Sequence, residues 1–368
     1  MAKPLAEMWM GAHPKAPSRI ITHKGEQGLD LYLKDHPEAL GPAFGHFKGL
    51  PFLMKVLAAA SPLSIQAHPN SEQAREGWLR ENALGIPIDA PNRNYKDSHH
   101  KPELICALTP FTALCGFRPY DQIIAGLRLC GLDQDLPEAL NFSKSASRTA
   151  WQSCFQAILA VEASAAVRAV EKARKRLSQE SELITRQALD WVIRLAELYP
   201  KDAGALAPLY LNLVELQPFE ALYLDAGIPH AYLSGAGIEV MANSDNVLRG
   251  GLTPKHIDRE ELIRVLDFEP LALKVLKAGS DKTGVSWFHT PAREFSLGMA
   301  DVMGGRALKT NISGPAILLS QSGELLISSN GDGCHASKGD AFFIDARTAG
   351  LTLTGEGKAF ICVTAQGN

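Results

Sequence analysis

No proline interrupts the chain between Pro137 and Pro200, and in that stretch apolar residues recur every three or four positions. Ala165, Ala166, Ala169, Val170, Ala173 and Leu177 form one series, and Leu183, Ile184, Ala188, Leu189, Val192, Leu195 and Leu198 form another. An α-helix gathers residues at that spacing on one face, and an interior proline would break it. Residues 121–203 are therefore predicted to be a block of amphipathic helices. The basic cluster from Lys172 to Arg176 reads as a solvated helix face. On both sides the texture changes. Short apolar runs such as Phe52–Leu57, Leu104–Leu108, Leu209–Leu216, Ala221–Leu224, Ala316–Leu319 and Ala341–Ile344 sit between glycine and proline breaks. Met303-Gly304-Gly305, Asn330-Gly331-Asp332-Gly333 and Gly355-Glu356-Gly357 mark breaks and tight turns. Runs of this kind predict short buried strands, in a jelly-roll or barrel and not a parallel sheet. The chain reads as mainly β with a helical insertion and a second β unit at its end.

With 368 residues there is enough chain for two or three cores. The expected division is a β domain of 1–120 with 204–268, a helical domain of 121–203, and a C-terminal β domain of 269–368. Lysine and arginine against aspartate and glutamate give 37 − 40 = −3, with no long basic tract, so no nucleic-acid surface is expected. No apolar run nears the ~18 residues of a membrane span, and Pro4 and Glu7 interrupt any secretory core, so no membrane partner and a cytoplasmic location are expected. Cys106, Cys115, Cys130, Cys154, Cys334 and Cys362 form no C-x-x-C pair and are expected to be reduced core thiols.

Three polar clusters carry the chemistry. In Ser64-Ile65-Gln66-Ala67-His68, a strand would turn Ser64, Gln66 and His68 to one face. In Asp97-Ser98-His99-His100-Lys101-Pro102-Glu103, the glutamate stands at the mouth of an apolar run, where a carboxylate must be paired or bound to metal. In Asp225-Ala226-Gly227-Ile228-Pro229-His230, a tight turn would deliver His230 to the start of a strand. Gln66, His68, Glu103 and His230 together make an N/O donor set for one divalent ion. Their separations, 103 − 68 = 35 and 230 − 103 = 127, leave assembly to the fold. A fourth stretch, Gly237 to His256, reads as a polar loop between β segments, with two glycines after Arg249 that allow close backbone approach to a ligand and Lys255 available to a phosphate, ahead of a helix near Ile257–Val265.

The segments Ala6–Ser18, Ser64–Pro69, His100–Glu103, Gly227–Tyr232 and Ser244–Arg249, with Thr253–Lys255, resemble the type I phosphomannose isomerases in composition and order. The helical block and the last hundred residues resemble them in texture only. The resemblance implies cupin-type jelly-roll domains in a bicupin-like arrangement, plus an all-α domain. It implies one Zn²⁺ per subunit on Gln66, His68, Glu103 and His230. It places Ser64, Lys101 and Lys255 near a substrate phosphate, Arg249 as the catalytic arginine, Glu239 and Asp245 at acidic positions for proton transfer, and Trp9 and Lys15 on the pocket wall. Ser71 stands where the family often has lysine, and His99 where it often has asparagine.

The implied reaction interconverts mannose 6-phosphate and fructose 6-phosphate through a cis-enediol, within mannose metabolism and the supply of GDP-mannose precursors. Lys101, His100, Glu239 and Asp245 are all chemically eligible as the base, and sequence does not choose between them. The expected partner is a small sugar phosphate. A monomer is compatible with the sequence, which leaves the oligomeric state open. Two rivals remain. Two histidines and a carboxylate also form the facial triad of non-haem Fe(II) oxygenases, against which Gln66 and the basic set Lys101, Arg249 and Lys255 weigh. A sugar-phosphate sensor without turnover is the non-enzymatic rival.

Overall fold

The computed structural model describes residues 6–23, 25–280, 284–304, 306–312, 314–329, 331–348 and 350–365. Pro4, Gly305 and Asn330, named above, lie outside them. The first β unit is antiparallel throughout. One sheet runs in the order Glu7–Met10, Phe52–Ala59, His230–Ala242, Glu103–Ala107, Glu220–Leu224, Leu276–Lys277. The second joins Leu248–Gly251, Ile65–Ala67, the start of His230–Ala242, Phe111–Phe117 and Leu211–Leu216. The strand His230–Ala242 belongs to both. Its register shifts between Tyr232 and Ser234, and Gly235 then takes φ +114. A Cβ on Gly235 would lie 2.7 Å from the carbonyl oxygen of Pro110, so glycine is required at this bend. The result is a jelly-roll whose two sheets enclose an apolar cluster that includes Leu57, Ile105, Phe111, Leu216, Leu222 and Tyr232.

The helical block is as predicted in kind: Tyr120–Leu129, Leu132–Asp135, Pro137–Lys144, Arg148–Leu159, Ala163–Leu177 and Leu183–Leu198. Their apolar faces share a core with Ile65, Leu114 and Phe117 of the jelly-roll, around the buried Trp151. No single helix among the described residues is long and apolar enough to cross a membrane.

The C-terminal β unit is an eight-stranded antiparallel sheet. Its strands are not uniformly short. Ala316–Ser329 has 14 residues and pairs with the 13-residue Leu351–Val363 over most of its length. The register of that pair shifts between Ser320 and Ser322, and Gly355, where sequence suggested a tight turn, stays paired opposite Leu325. Phe288, Phe295, Leu297 and Phe360 of this unit pack with Met10, Phe52, Leu104 and Cys106 of the jelly-roll in one core.

Four further expectations need correction. Residues 1–120 also hold helices, the longest being Ser71–Ala83, capped where Asn70 accepts from the backbone of Gln73 and Gln73 accepts in return at 2.9 Å each. Gly237–Ala242 is the second half of a buried strand and not a polar loop. The final helix begins at Arg259, not Ile257, because Asp258 caps it onto the Glu261 amide. Five cysteines are buried thiols, but Cys334 is exposed on the Asp332–Ser337 strand.

Candidate metal centre

The strand Ile65–Ala67 lies between two partners, with Gln66 directly opposite His230 on one side and Arg249 on the other. Directly opposed residues in antiparallel strands present their side chains to the same face. Gln66, His230 and Arg249 therefore share a face, and His68, two residues along, joins it. On the adjoining sheet, Glu103 opens its strand opposite Met241, two residues from Glu239. Trp9, Lys55, Glu239 and Ile105 form one cross-strand row.

The ligating atoms of His68, Glu103 and His230 all lie within 4.8 Å of one another. Both histidines are fully buried and Glu103 is 1% exposed. His68 Nδ1–H donates to the carbonyl of Asn246 at 2.8 Å, and His230 Nδ1–H donates to that of Ile228 at 2.9 Å. Each Nε2 is then left with a lone pair, 3.3 and 3.4 Å from the Glu103 carboxylate. Burial lowers the His68 imidazole to about 4, so it is neutral near pH 7. His68 Nε2, His230 Nε2 and Glu103 Oε2 have no hydrogen-bond partner. Three buried atoms of this kind, facing one another with no hydrogen-bond partner among the described residues, fit a cation. Imidazoles held by carbonyls through their other nitrogen, with a carboxylate, suit a divalent ion such as zinc.

Lys101 Nζ sits 3.1 Å from Glu103 Oε1. Burial would raise the Glu103 carboxyl, but the adjacent Lys101 ammonium holds it below the usual carboxylate range. Lys55 Nζ pairs with Glu239 Oε2 at 3.1 Å, and it also lies 5.0 Å from the Trp9 ring centroid. Burial opposes the Lys55 charge, yet Glu239, Glu7 and Glu103 raise it above its ordinary value. Asp245 pairs with Lys15 at 2.6 Å and faces His13 at 3.6 Å. His13, Lys15, Lys96 and Asp245 line a cleft of about 260 Å³. Arg249 is half-buried, and neither it nor Gln66 has a side-chain hydrogen bond or ion pair among the described residues. The same holds for Ser64 and the exposed Lys255. His100 is bonded to Glu294 in a second cavity, which shares Asn243 with that cleft.

Two sequence clusters turn out to be one structure. Asn246 Nδ2 donates to the carbonyls of Asp97 and His99, each at 2.9 Å, while its Oδ1 accepts from the Lys96 amide at 2.7 Å. Asp97 accepts from Ser244 Oγ and from the Asp245 amide. The loop that orients His68 is thereby locked to the loop that leads into Glu103. Sequence reasoning passed over Lys55, His13 and Lys96. A lysine in the otherwise apolar run Phe52–Leu57 was a usable signal, since a buried ammonium needs a partner.

The sequence models for the catalytic domain and the helical insertion domain of type I phosphomannose isomerase match residues 1–120 and 132–211. Mannose-6-phosphate isomerase of Escherichia coli is 39% identical over 364 residues, covering 97% of this chain and 90% of that protein. The chain belongs to the type I phosphomannose isomerases. The human mannose-6-phosphate isomerase is 35% identical, covering 82% of this chain and 74% of its own. Among solved phosphomannose isomerases, a lysine-to-alanine mutant from Salmonella typhimurium superposes with a TM-score of 0.91 at 36% identity, covering 100% of this chain and 93% of that one. A zinc-bound mannose 6-phosphate isomerase superposes at 0.89 with 37% identity, over 99% and 92%. The fold is accordingly the cupin fold of this family, with a helical insertion.

Proposed function

We propose that this phosphomannose isomerase interconverts mannose 6-phosphate and fructose 6-phosphate through a cis-enediol, at a single zinc ion held by Gln66, His68, Glu103 and His230. The observation that carries the proposal is the meeting of three buried atoms from His68, Glu103 and His230 with no hydrogen-bond partner among the described residues. The relatives' names and the zinc-bound neighbour supply the reaction and the ion. Gln66 is assigned as fourth ligand because it stands opposite His230 with its amide unpartnered.

The bound ion supplies positive charge that stabilises oxygen charge developing on the sugar. The residues do the rest. Arg249, half-buried and without a partner, is positioned to meet the negative charge of the substrate or of the enediolate. Lys15, Lys55 and Lys101 lie close enough to bear on His13, whose pKa burial lowers first and the three ammonium groups lower further, against Asp245. Each of the three is already paired with a carboxylate, so the cations left to meet a phosphate of about −2 are Arg249 and Lys255, which have no ion pair among the described residues. Ser64, Lys101 and Lys255 are proposed to contact the phosphate or its surroundings, with Trp9 and Lys15 walling the cleft. Moving a proton from C2 to C1 needs a group within hydrogen-bond reach. Glu239, paired with Lys55, Asp245, paired with Lys15, and Lys101 and His100 are its candidates. The Fe(II) oxygenase and sensor readings find no support among the relatives.

The proposal retains the division into 1–120 with 204–268, 121–203 and 269–368. It also retains a cytoplasmic enzyme that feeds GDP-mannose precursor synthesis, with its oligomeric state open. In the test, His230→Ala is expected to lose stoichiometric zinc and turnover together while the far-ultraviolet spectrum stays native. Retained stoichiometric zinc would refute the ligand assignment.

A further inference from the structure

His100 precedes the strand of Glu103 by three residues, yet its ring is held from the far end of the chain. His100 Nε2 lies 2.8 Å from Glu294 Oε1. Glu294 belongs to the turn between the Val285–Trp287 and Ser296–Val302 strands of the C-terminal β unit. That turn is anchored. Ala292 and Phe295, on either side, are buried in the core the two β units share, and the backbone N–H of Arg293 donates to Glu294 Oε2 at 3.1 Å. One carboxylate oxygen is thus tied to backbone and the other is presented to the imidazole. Both residues line a cavity of about 880 Å³, with Ser98, His99 and Asn243 beside them.

A carboxylate can only accept, so the nitrogen facing it must carry hydrogen. We propose that Glu294 is a positioning residue, fixing His100 in its Nε2–H form so that Nδ1 is the ring nitrogen free to exchange a proton with the sugar. The C-terminal β unit then supplies part of the active site. The inference rests on the reading of His100 as an acid/base group of the isomerase. The hydrogen bond to Glu294 raises the His100 pKa, burial opposes the rise, and the charges of Glu294 and Asp225 add to it. On its own segment His100 adjoins His99 and Lys101. Asp30, Lys34, His46 and Lys48 line the same cavity.

The test uses the zinc-loaded enzyme and two readouts. Histidine ring ¹H–¹⁵N spectra report the tautomer and titration of His100, its resonance identified by loss in His100→Gln. The pH dependence of kcat reports the reacting group. Wild-type His100 is expected to be Nε2-protonated when neutral. Glu294→Gln is expected to lower its midpoint by about one unit or more, the effect of removing an adjacent opposite charge. One limb of the kcat profile should move with it, while KM changes less than about twofold. An unmoved midpoint, or a midpoint that moves while the limb stays, overturns the positioning role even if Tm falls. Undiminished turnover in His100→Gln instead overturns the acid/base reading of His100 itself, whatever Glu294 does.

Discussion

His68, Glu103 and His230 bring three atoms with no hydrogen-bond partner among the described residues to one buried point, and the side chains around them divide the remaining work by charge. Arg249 is the plainest case, because its half-buried guanidinium has no partner among the described residues to compensate it. Arg249→Ala is expected to keep zinc and fold and to lose about 100-fold in kcat, roughly the 3 kcal/mol of one preorganised donor to a developing oxyanion. Parallel zinc analysis and steady-state kinetics check this, and near-normal kcat would reject its transition-state role. His13 makes a prediction about stability. Burial, and then Lys15, Lys55 and Lys101, hold its pKa below the ordinary ~6.5, with Asp245 only partly offsetting them. The unfolded chain therefore takes up this proton first as pH falls. The contribution to stability is at its full favourable level above about pH 6.5 and is lost as pH falls towards the lower folded value. His13→Gln should flatten the dependence of Tm on pH over that window. An unchanged slope would contradict the assignment.

At the scale of elements, the strand His230–Ala242 decides most of the site, since it carries a ligand at one end and Glu239 beyond its bend. Gly235→Ala places a Cβ at φ +114 against the Pro110 carbonyl. The expected cost is about 1–3 kcal/mol of stability, together with weakened zinc affinity, because the bend sets His230 against Glu103. Chemical denaturation and zinc titration check both, and a wild-type zinc affinity would show that the bend does not position His230. This strand also shows what was legible in sequence. The turn Gly227-Ile228-Pro229 and the start at His230 were readable from local chemistry. The continuation through Gly237–Ala242 was not, because Glu239 and flanking glycines imitate a polar loop until Lys55 is placed opposite. The helix Ser71–Ala83 was passed over although Asn70 and Gln73 spell out its capping box. The helical block was readable as a texture, and its last two helices, Ala163–Leu177 and Leu183–Leu198, by a periodicity that is local.

Across the whole molecule, long-range pairing joined what sequence could only list. Asn246 and Asp97 are 149 residues apart, and Glu294 lies 194 from His100. The motif residues Gln66, His68, Glu103 and His230 could be named because each sits in a recognisable segment, whereas His13 and Glu294 acquire meaning only from neighbours the fold brings. The continuous core from Met10 and Phe52 to Phe295 and Phe360 is what holds the C-terminal unit against the jelly-roll. Isomerisation by proton transfer at a zinc-loaded site remains the central claim. Its most direct measurement is turnover of mannose 6-phosphate by zinc-replete enzyme in D₂O, with the fructose 6-phosphate formed read at C1 by NMR. The expected result is product carrying solvent deuterium at C1, accumulating over repeated turnovers. Product formed in many turnovers with no deuterium at C1 would contradict the enediol step, and no product from a zinc-replete sample would contradict the function.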